Sequence, residues 1–563
     1  MGHSALRATG GGDGRSDLVG GGLARFNPAG MRRVRRVLLV PGAAALLVAG
    51  CMVQPKPLSD AESDAQAVAD RQAMFGGQEP LNRPLTLSEA YARALKYNLD
   101  RRAKLMEQAV AYDGLVVGNF DLLPKLTADA GYLTRNSTDA SSSRSIATGA
   151  QSLVPSTALD NNRLVADLTL SWNILDFGVS YFAARQQANR ALIAMEHRRK
   201  VAQNLLQDVR SAFWRAASAQ ALGGKIDAAI HDADEALERS RRVESEGLRA
   251  PLDALRYQRT LLDLLRQLES VRQKLQLAKT DLAALINIPP GQDFLVRVPA
   301  AATMTYEPLQ QSVASLEQVA MMRNPDLREL RYEARISVDE TRKSMLKLLP
   351  GINLSYAGNY DSNSFLVNHW WAEGAERVSW NLLNLASAPA VFRLNADSEK
   401  LADLRRQAVA MAVLAKLHIA YEQYVYIGSE YRRARDLSRV DRRIYAQVSN
   451  RTAADAQSVL ERVAAEVYAA NSELRQYETY ADLQAALGRV YATLGFDPEP
   501  AHLAAFDVST LSSAVDYMMS SWKQAAIAPD RHAAPPRTGD ADGGDMPGLE
   551  GLRRSLYVVV PND

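Results

Sequence analysis

The chain has 563 residues, of which 47% are apolar and 23% charged, with a formal net charge of +2. The apolar fraction excludes a disordered chain, and the mean hydropathy of −0.21 excludes a polytopic helical membrane protein. A single cysteine excludes a disulfide framework and any site built from several thiolates. The near balance of charge argues against a nucleic-acid partner, because domains that bind nucleic acids usually carry a clear basic excess.

A short apolar segment near the amino terminus has the pattern of an export signal. Residues 37–50 are too few to cross a bilayer as a helix, which needs about 20 residues. Four arginines precede the segment, and the letters "LVAGC" at its end resemble a bacterial lipobox, in which the cysteine receives a lipid. The alternative is a chance buried cysteine after a core helix. The order of these features favours Cys51 as the attachment site of an acyl anchor such as palmitate.

The export signal predicts where the mature protein begins and where it is sent. Met31 suits a signal-peptide start better than the first methionine does. We therefore expect residues 1–30 to precede the true translation start, residues 31–50 to be the signal peptide and residues 51–85 to be a lipid-anchored linker. Because Met52 rather than an aspartate follows the cysteine, sorting to the outer membrane of a Gram-negative bacterium is expected.

The rest of the chain contains a duplicated pattern. Asn98 and Pro124 are 26 positions apart, and so are Asn324 and Pro350. Farther along, the segment "LSWNILDFG" matches "VSWNLLNLA". Such matched spacings predict a tandem duplication. The predicted organisation is a first repeat over 86–300, a second over 301–510, and a C-terminal helix with a disordered tail over 511–563.

Each repeat is predicted to contain a helix, two strands, a very long helix, a tight turn and a last helix. In the first repeat these helices are expected at about 87–123, 177–246 and 252–287. Laid end to end, the two shorter helices match the long one, which is typical of a tube wall. The first helix carries an apolar stripe at helical spacing that is expected to be buried, comprising Leu95, Leu99, Ala103, Met106, Val110, Gly114 and Val117. Heptads predict coiled-coil seams at Leu261, Leu264, Leu268, Val271, Leu275, Ala278, Leu282 and Leu285, and at Leu460, Val463, Val467, Ala470, Leu474, Tyr477 and Ala481.

Between the helices, the hydrophobic period changes from that of a helix to that of a strand. Apolar and polar residues alternate over 164–173 and 352–360, and more briefly over 126–133 and 378–383. Each repeat is therefore predicted to contribute two strands of roughly 8–10 residues. The first pair is joined by a Ser/Thr/Asn-rich loop, and the second by a shorter loop that holds Trp370 and Trp371.

Strands with one apolar and one polar face have two interpretations, a half-buried soluble sheet or the wall of a membrane β-barrel. Open sheet edges cannot lie in lipid, so four strands in a membrane must close with copies of themselves. Two copies would give a barrel whose interior is filled by side chains, whereas three would give twelve strands and leave a lumen. The sequence predicts a mainly α-helical fold with a small membrane β-barrel, in which each protomer of a trimer supplies four strands.

These features resemble the TolC-type outer-membrane factors of efflux pumps and type I secretion systems, especially their lipidated branch. The resemblance covers about 80–500 and rests on "LSEAYARALKYNLD", "LLPKL", "LSWNILDFG" and "EGLRAPLDAL". It implies a homotrimer whose β-barrel spans the outer membrane and continues as an α-barrel of coiled-coil helices through the periplasm. It also implies two partners, a periplasmic adaptor of the membrane-fusion type and an RND- or ABC-type inner-membrane pump.

The resemblance also assigns roles to the two helical turns, which form the periplasmic tip and dock the adaptor in this family. The family's tip motif places a glycine six residues before an aspartate, and the second turn here has serine in place of the glycine. The expected docking residues are Gly247, Leu248, Asp253, Ser449, Thr452 and Asp455. Helix capping explains the aspartates without any docking role, because an aspartate in the first turn complements the helix dipole.

Two tryptophans and the histidines are further candidates for a functional role. Trp172 and Trp380 are expected to anchor the barrel at the lipid boundary, or else to be core aromatic residues. The histidines are widely spaced and no catalytic or nucleotide-binding motif occurs, so no enzyme activity, cofactor or metal is expected.

The leading functional hypothesis is a passive export duct of a tripartite efflux system that carries drugs or other small molecules. The alternatives are the outer-membrane component of a type I protein secretion system and a lipid-anchored coiled-coil scaffold without a pore. The sequence identifies neither the cargo nor the gate.

Overall fold

The computed structural model describes residues 55–246, 250–299, 303–453, 459–500 and 505–525. The predicted lipid-attachment residue Cys51 and the export signal lie outside these ranges. Among the residues that are described, no helix is both long and apolar enough to cross a membrane.

Two compact units make up the chain, residues 1–73 and residues 74–563. The described part of the first unit consists mainly of helix α1 (Asp60–Phe75), which extends two residues past the boundary and has no buried residue. A capping box begins this helix. The backbone N–H of Ser59 donates to the Glu62 carboxylate at 2.9 Å, and the N–H of Glu62 donates to the Ser59 hydroxyl at 3.2 Å.

The second unit contains the same order of helices and long strands twice, and the first copy has in addition the short strands β2 and β3. The first copy comprises α2 (Leu87–Tyr97), α3 (Leu99–Phe120), β1 (Lys125–Thr134), β2 (Ala140–Ser141), β3 (Ser156–Thr157), β4 (Asn162–Asn173), α4 (Ile174–Ser245) and α5 (Pro251–Leu285). The second copy comprises α6 (Val313–Arg323), α7 (Pro325–Leu346), β5 (Gly351–Asp361), β6 (Trp370–Ser379), α8 (Leu383–Ala453) and α9 (Val459–Leu494), and α10 (Val508–Ala525) follows it.

The first helix of each copy is divided in two, so the prediction of one continuous helix over 87–123 is wrong. Asn98 ends α2 and caps α3: its side-chain oxygen accepts from the Arg101 N–H at 3.0 Å, and its amide donates to the Leu285 carbonyl at 3.1 Å. Asn324 does the same between α6 and α7, since its amide donates to the Thr493 carbonyl at 3.0 Å. Each asparagine thus satisfies backbone groups at two helix ends, and we call these two sites the joints.

The long helices pair as the heptads predicted. Helix α4 has 72 residues, about 108 Å at the usual helical rise, and α8 has 71. Helix α4 packs against α5, and α8 packs against α9. The seam residues that are buried are Leu261, Leu264, Leu268, Val271, Leu275, Ala278 and Leu282 on α5, and Val463, Val467, Ala470, Leu474, Tyr477 and Ala481 on α9. The side chain of Leu460 lies outside the described part of the chain.

The four long strands form one antiparallel sheet in the order β1-β4-β5-β6. The middle pairing joins the two copies, with Leu168 opposite Gly358 and Trp172 opposite Leu354. The predicted position of the last strand, over 378–383, is wrong: β6 ends at Ser379. Trp370 and Trp371, predicted in the loop, begin β6 instead.

Candidate channel wall

The sheet has two chemically distinct faces. Opposite residues pair with matching parity across all three strand pairings, so even-numbered residues lie on one face and odd-numbered residues on the other. The even face carries Leu126, Tyr132, Leu164, Leu168, Leu170, Trp172, Ile352, Leu354, Tyr356, Tyr360, Trp370 and Val378. The odd face carries Thr127, Asp129, Asp167, Thr169, Ser171, Asn353, Ser355, Asn359, Glu373 and Arg377. The sheet therefore separates a mainly apolar surface from a mainly polar one, although Leu133, Val165 and Trp371 also lie on the odd face.

The apolar face is not covered by the rest of the described chain. Leu168 is 52% exposed and Tyr356 is 61% exposed, although both lie on the two central strands. Soluble proteins rarely leave so large a contiguous apolar patch facing water. A face of this kind suits lipid, with the polar face turned to an aqueous lumen.

Aromatic residues mark both ends of the apolar face. At the end next to the helices, the Trp172 ring contacts Phe177 edge-on at 5.8 Å between centroids, and Trp380 Nε1 donates to the Leu348 carbonyl at 3.0 Å. At the far end, the Tyr360 and Trp370 rings lie 4.6 Å apart. Trp172 lies opposite Leu354, six residues or about 20 Å along the strand from Tyr360, and Trp370 and Trp380 are ten residues or about 33 Å apart. The two spacings bracket the height of about 25 Å of an outer-membrane apolar band.

The far-end aromatic residues were missed by the sequence reasoning. The segment "WWAEGAERVS" carries two glutamates, which hid its alternation. Glu376 does lie on the apolar face, in the same row as Trp172, at the end of the sheet next to the helices. The match between the two copies could have revealed Trp370. Residues 370–379 occupy the place in the second copy that the strand over 162–173 occupies in the first.

The two edges of the sheet are complementary. Neighbouring strands alternate in direction, so β1 and β6, at opposite edges, run in opposite directions. Each has ten residues. When two chains are placed side by side, β6 of one chain can therefore pair antiparallel with β1 of the next. The strand directions thus allow the sheets of several chains to close into a ring.

The loops at the far end of the sheet are tied together. Asn363 is 2% exposed, its side-chain oxygen accepts from the Asp160 N–H at 3.0 Å, and its amide donates to the Ala158 carbonyl at 2.9 Å. The Ser364 hydroxyl donates to the Asp160 carboxylate at 3.0 Å. The loop after β1, which contains the small β2–β3 hairpin, is thereby fixed to the loop before β6.

The predicted buried stripe of the first helix is largely exposed. Leu95 is buried, but Met106, Val110 and Val117 are between 54% and 66% exposed, because no described element of this chain covers α3 on that side. Helix α8 carries a second uncovered apolar stripe. Its members are Met411, Ile419, Tyr426, Leu437, Val440 and Ile444. Both stripes need a covering surface that the single chain does not provide.

Ion pairs link the α8–α9 pair to the α4–α5 pair. The Arg462 guanidinium on α9 contacts the Asp232 carboxylate on α4 at 2.8 Å, and Lys225 on α4 contacts Glu473 on α9 at 2.8 Å. Glu466 lies beside the first pair, and burial together with the Asp232 charge raises the pKa of its carboxyl group. These contacts hold the two coiled-coil pairs together along their length.

The predicted tip residues are only partly described. Gly247, Leu248 and Asp455 lie outside the described residues. Asp253 is in the first turn of α5, 67% exposed and 3.8 Å from Arg256, which fits a helix-capping role. Ser449 and Thr452 are not in a turn, because α8 continues to Ala453.

The wall shows no sign of metal chemistry in the described part of the chain. No group of three or more His, Cys, Asp or Glu side chains there could hold a metal ion.

Comparisons with known proteins agree with this geometry. Residues 90–287 match the family described as outer membrane efflux protein. No curated protein sequence matches the chain. Among solved structures, the Campylobacter jejuni CmeC outer membrane channel is 13% identical with a TM-score of 0.58, over 83% of this chain and 98% of that one. The open-state Neisseria gonorrhoeae MtrE outer membrane channel is 15% identical with a TM-score of 0.56, over 73% and 88%. The outer-membrane channel OprN is 17% identical with a TM-score of 0.54, over 73% and 89%.

The fold is thus that of outer-membrane channels with long coiled-coil helices and a small β-sheet domain, as predicted. The resemblance to the TolC-type outer-membrane factors is confirmed.

Proposed function

We propose that the protein is the passive outer-membrane duct of a tripartite efflux system, working as a homotrimer. The observation that carries the proposal is the four-stranded sheet with an uncovered apolar face, a polar face and two open, oppositely directed edges. A lipid-facing sheet must close, because unpaired backbone groups at an open edge are costly in hydrocarbon.

The number of subunits follows from the requirement that the barrel enclose an aqueous passage. Two copies of four strands give eight, and the interior of such a barrel is just filled by side chains. Three copies give twelve strands and leave an aqueous passage lined by the odd-numbered face. The polar residues on that face, including Asp129 and Asp167, suit a water-filled interior.

The uncovered helical stripes support the same assembly. In a trimer, the exposed apolar residues of α3 and α8 would be covered by neighbouring subunits, which explains why a helical pattern typical of burial is exposed in one chain. The scaffold hypothesis accounts for the coiled-coil seams but gives no role to the apolar face of the sheet.

Anchoring and partners complete the proposal. Lipid at Cys51 would hold the chain at the outer membrane, with Trp172 and Trp380 at the lipid boundary. Gly247, Leu248, Asp253, Ser449, Thr452 and Asp455 are the proposed contacts for a periplasmic adaptor, which would couple the duct to an RND- or ABC-type inner-membrane pump. The proposed cargo is drugs or other small molecules, and secretion of a protein by a type I system is the competing use of the same duct.

The test is native mass spectrometry of the protein extracted from outer membranes, followed by conductance in planar bilayers. We expect a trimer of mature chains, each with acyl mass at Cys51, that forms ion-conducting pores. The designed control is Ala130→Pro on β1, which removes an edge N–H and should weaken trimer closure. A monomer or dimer without conductance would contradict the duct and return the scaffold to first place.

A further inference from the structure

A groove lies in the helical part of the second unit, away from the sheet. Its volume is about 770 Å³, within the range of small-molecule sites. Five elements and the segment 303–311 surround it. Its lining includes Arg210 on α4, Tyr424 on α8, Tyr480, Gln484 and Tyr491 on α9, and Asp516 and Met519 on α10.

Arg210 lines this groove with an almost completely buried side chain, which is 6% exposed. Its Nε–H donates to the Tyr91 hydroxyl at 2.7 Å. The outer nitrogens have weaker partners, the Gln484 side-chain oxygen at 3.4 Å and the Met519 sulfur at 3.7 Å. Across the residues that the structure describes, no carboxylate forms an ion pair with Arg210.

Other buried charges in this chain have partners of opposite charge. Arg101 pairs with Glu499 at 2.8 Å, and the fully buried Glu196 pairs with Arg328 at 2.9 Å. A buried charge without a counter-charge is costly, so the arrangement around Arg210 is unusual within this protein. The neighbouring phenol cannot supply the charge, because burial raises the pKa of Tyr91 and keeps it protonated.

The corresponding position of the second copy has a carboxylate partner, on a more exposed surface where the two side chains are 53% and 36% exposed. Trp172 and Trp380 are 208 positions apart, and Asn98 and Asn324 are 226 apart. By these offsets, Arg210 corresponds to His418 and Tyr91 to Glu317. His418 Nε2 lies 2.6 Å from a Glu317 carboxylate oxygen. The second copy therefore places a carboxylate where the first has a neutral phenol.

We infer that the groove beside Arg210 binds a small monocarboxylate with an aromatic or aliphatic body, whose carboxylate accepts from the outer guanidinium nitrogens on the side of Gln484 and Met519 and so plays the part that the Glu317 carboxylate plays for His418. The guanidinium fork matches a planar carboxylate. The rings of Tyr480 and Tyr491, with Leu487 and Met519, offer apolar walls for the body of the ligand. Glu307 and Asp516 also line the groove, and their charges would disfavour ligands that carry several negative charges.

The experiment measures binding of benzoate to the full-length protein in maltoside detergent by saturation-transfer NMR and calorimetry. Benzamide, which has the same ring without the charge, is the matched probe. Saturable binding of benzoate, with benzamide at least about tenfold weaker, is expected because a charge-assisted bidentate contact is lost. Equal affinity for the two probes, or no saturable binding of benzoate, would overturn the inference. Equally tight binding of inorganic phosphate would contradict the preference for a monocarboxylate.

Two variants at Tyr91 locate the site without removing the arginine. Tyr91→Glu supplies Arg210 with the internal carboxylate found in the second copy, and should weaken benzoate binding at least about tenfold by competition. Tyr91→Phe removes only the hydroxyl and should keep binding within about twofold of wild type, since the groove-facing nitrogens are unchanged. Arg433→Gln, which removes an exposed positive charge from α8, controls for net charge. Undiminished binding to a folded Tyr91→Glu variant would place benzoate elsewhere and refute the assignment.

Discussion

The two copies of the repeat share their backbone arrangement but differ in many of the side chains at corresponding positions. At the joints, Asn98 and Asn324 make the same pair of contacts, one to the next helix and one to the end of a partner helix. In the sheet, the pair Asp129–Asp167 of the first copy corresponds by the same offsets to Ser355–Ala375 of the second. The backbone contacts at the joints are therefore the same in both copies, whereas residues on the polar face of the sheet and in the groove differ.

The largest expected effect comes from the end of the last coiled-coil helix. Gly495, which follows α9, has a φ of +73°, and a Cβ there would lie 2.3 Å from the Arg323 carbonyl oxygen. Gly495→Ala should lower the free energy of unfolding by about 2–4 kcal/mol, because the backbone of Arg323 must move. Urea unfolding followed by tryptophan fluorescence measures it.

The corresponding position in the first copy supplies the control. Asn287 has a φ of +60° and donates from its amide to the Met74 carbonyl at 2.7 Å. Asn287→Gly relieves the backbone but loses that hydrogen bond, so its net effect should stay within about 1 kcal/mol. If the two variants lose the same free energy of unfolding, the close approach of residue 495 to the Arg323 backbone does not affect stability.

The joints should respond equally. Asn98→Ala and Asn324→Ala each remove a helix cap and a long-range hydrogen bond, and each should cost about 1–3 kcal/mol of unfolding free energy. The aspartate variants keep the cap acceptor but lose the donor to Leu285 or Thr493, so they should recover part of the loss. A difference of more than about 1 kcal/mol between the two alanine variants would mean that the joints are not equivalent.

A smaller, pH-dependent effect is expected at Glu466, whose counterpart in the first copy is Gln258. The folded-state pKa of Glu466 is raised above its ordinary value of 4.5 by burial and by Asp232. Its contribution to stability is therefore fully present below pH 4.5 and is lost as the pH rises through the raised value.

Glu466→Gln should accordingly gain stability relative to wild type as the pH rises from 4.5. The gain should stay below about 1 kcal/mol, because the variant also loses the ion pair with Arg462. Unfolding curves at pH 4 to 8 test this. A wild-type-minus-variant difference that does not change with pH would show that Glu466 does not titrate differently in the folded protein.

The smallest effect on stability, with a clear effect on conduction, is expected in the sheet. Asp129→Ser with Asp167→Ala converts the first copy's pair into that of the second. Removing two like charges on facing residues should stabilise the sheet by less than about 1 kcal/mol. In the proposed trimer it also removes two lumen charges per subunit, so the preference for cations, read from the reversal potential in a salt gradient, should fall. Unchanged selectivity would place these carboxylates away from the conducting path.

Much of the fold follows from local patterns. The heptads of α5 and α9 predicted the buried seams, and the spacing from Asn98 to Pro124 and from Asn324 to Pro350 predicted the duplication. The breaks at the joints were missed because each asparagine is a mild interruption of a helical pattern, and its second contact, to a helix some 170 to 190 positions away, cannot be read locally.

The apolar stripe of α3 shows the limit from the other side. Its period correctly predicted a helix. Periodicity shows that one face of a helix is apolar, but it does not show which surface buries that face, and the single chain does not supply one. Trp370 and Trp371 were assigned to a loop because glutamates interrupt the alternation of β6, whose place as an edge strand is set by its pairing with β5.

By itself, the sequence determined the alternation of long helices with pairs of strands, the coiled-coil seams, the two-faced character of the strands and the family resemblance, because each depends on residues close together in the chain. Only the tertiary structure decided the strand order β1-β4-β5-β6, the pairing of Asp129 with Asp167, and the placing of Arg210 against Tyr91 rather than a carboxylate. These features depend on contacts between segments that are far apart in the chain. Which of the possible contacts form is decided by the packing free energy of the whole unit.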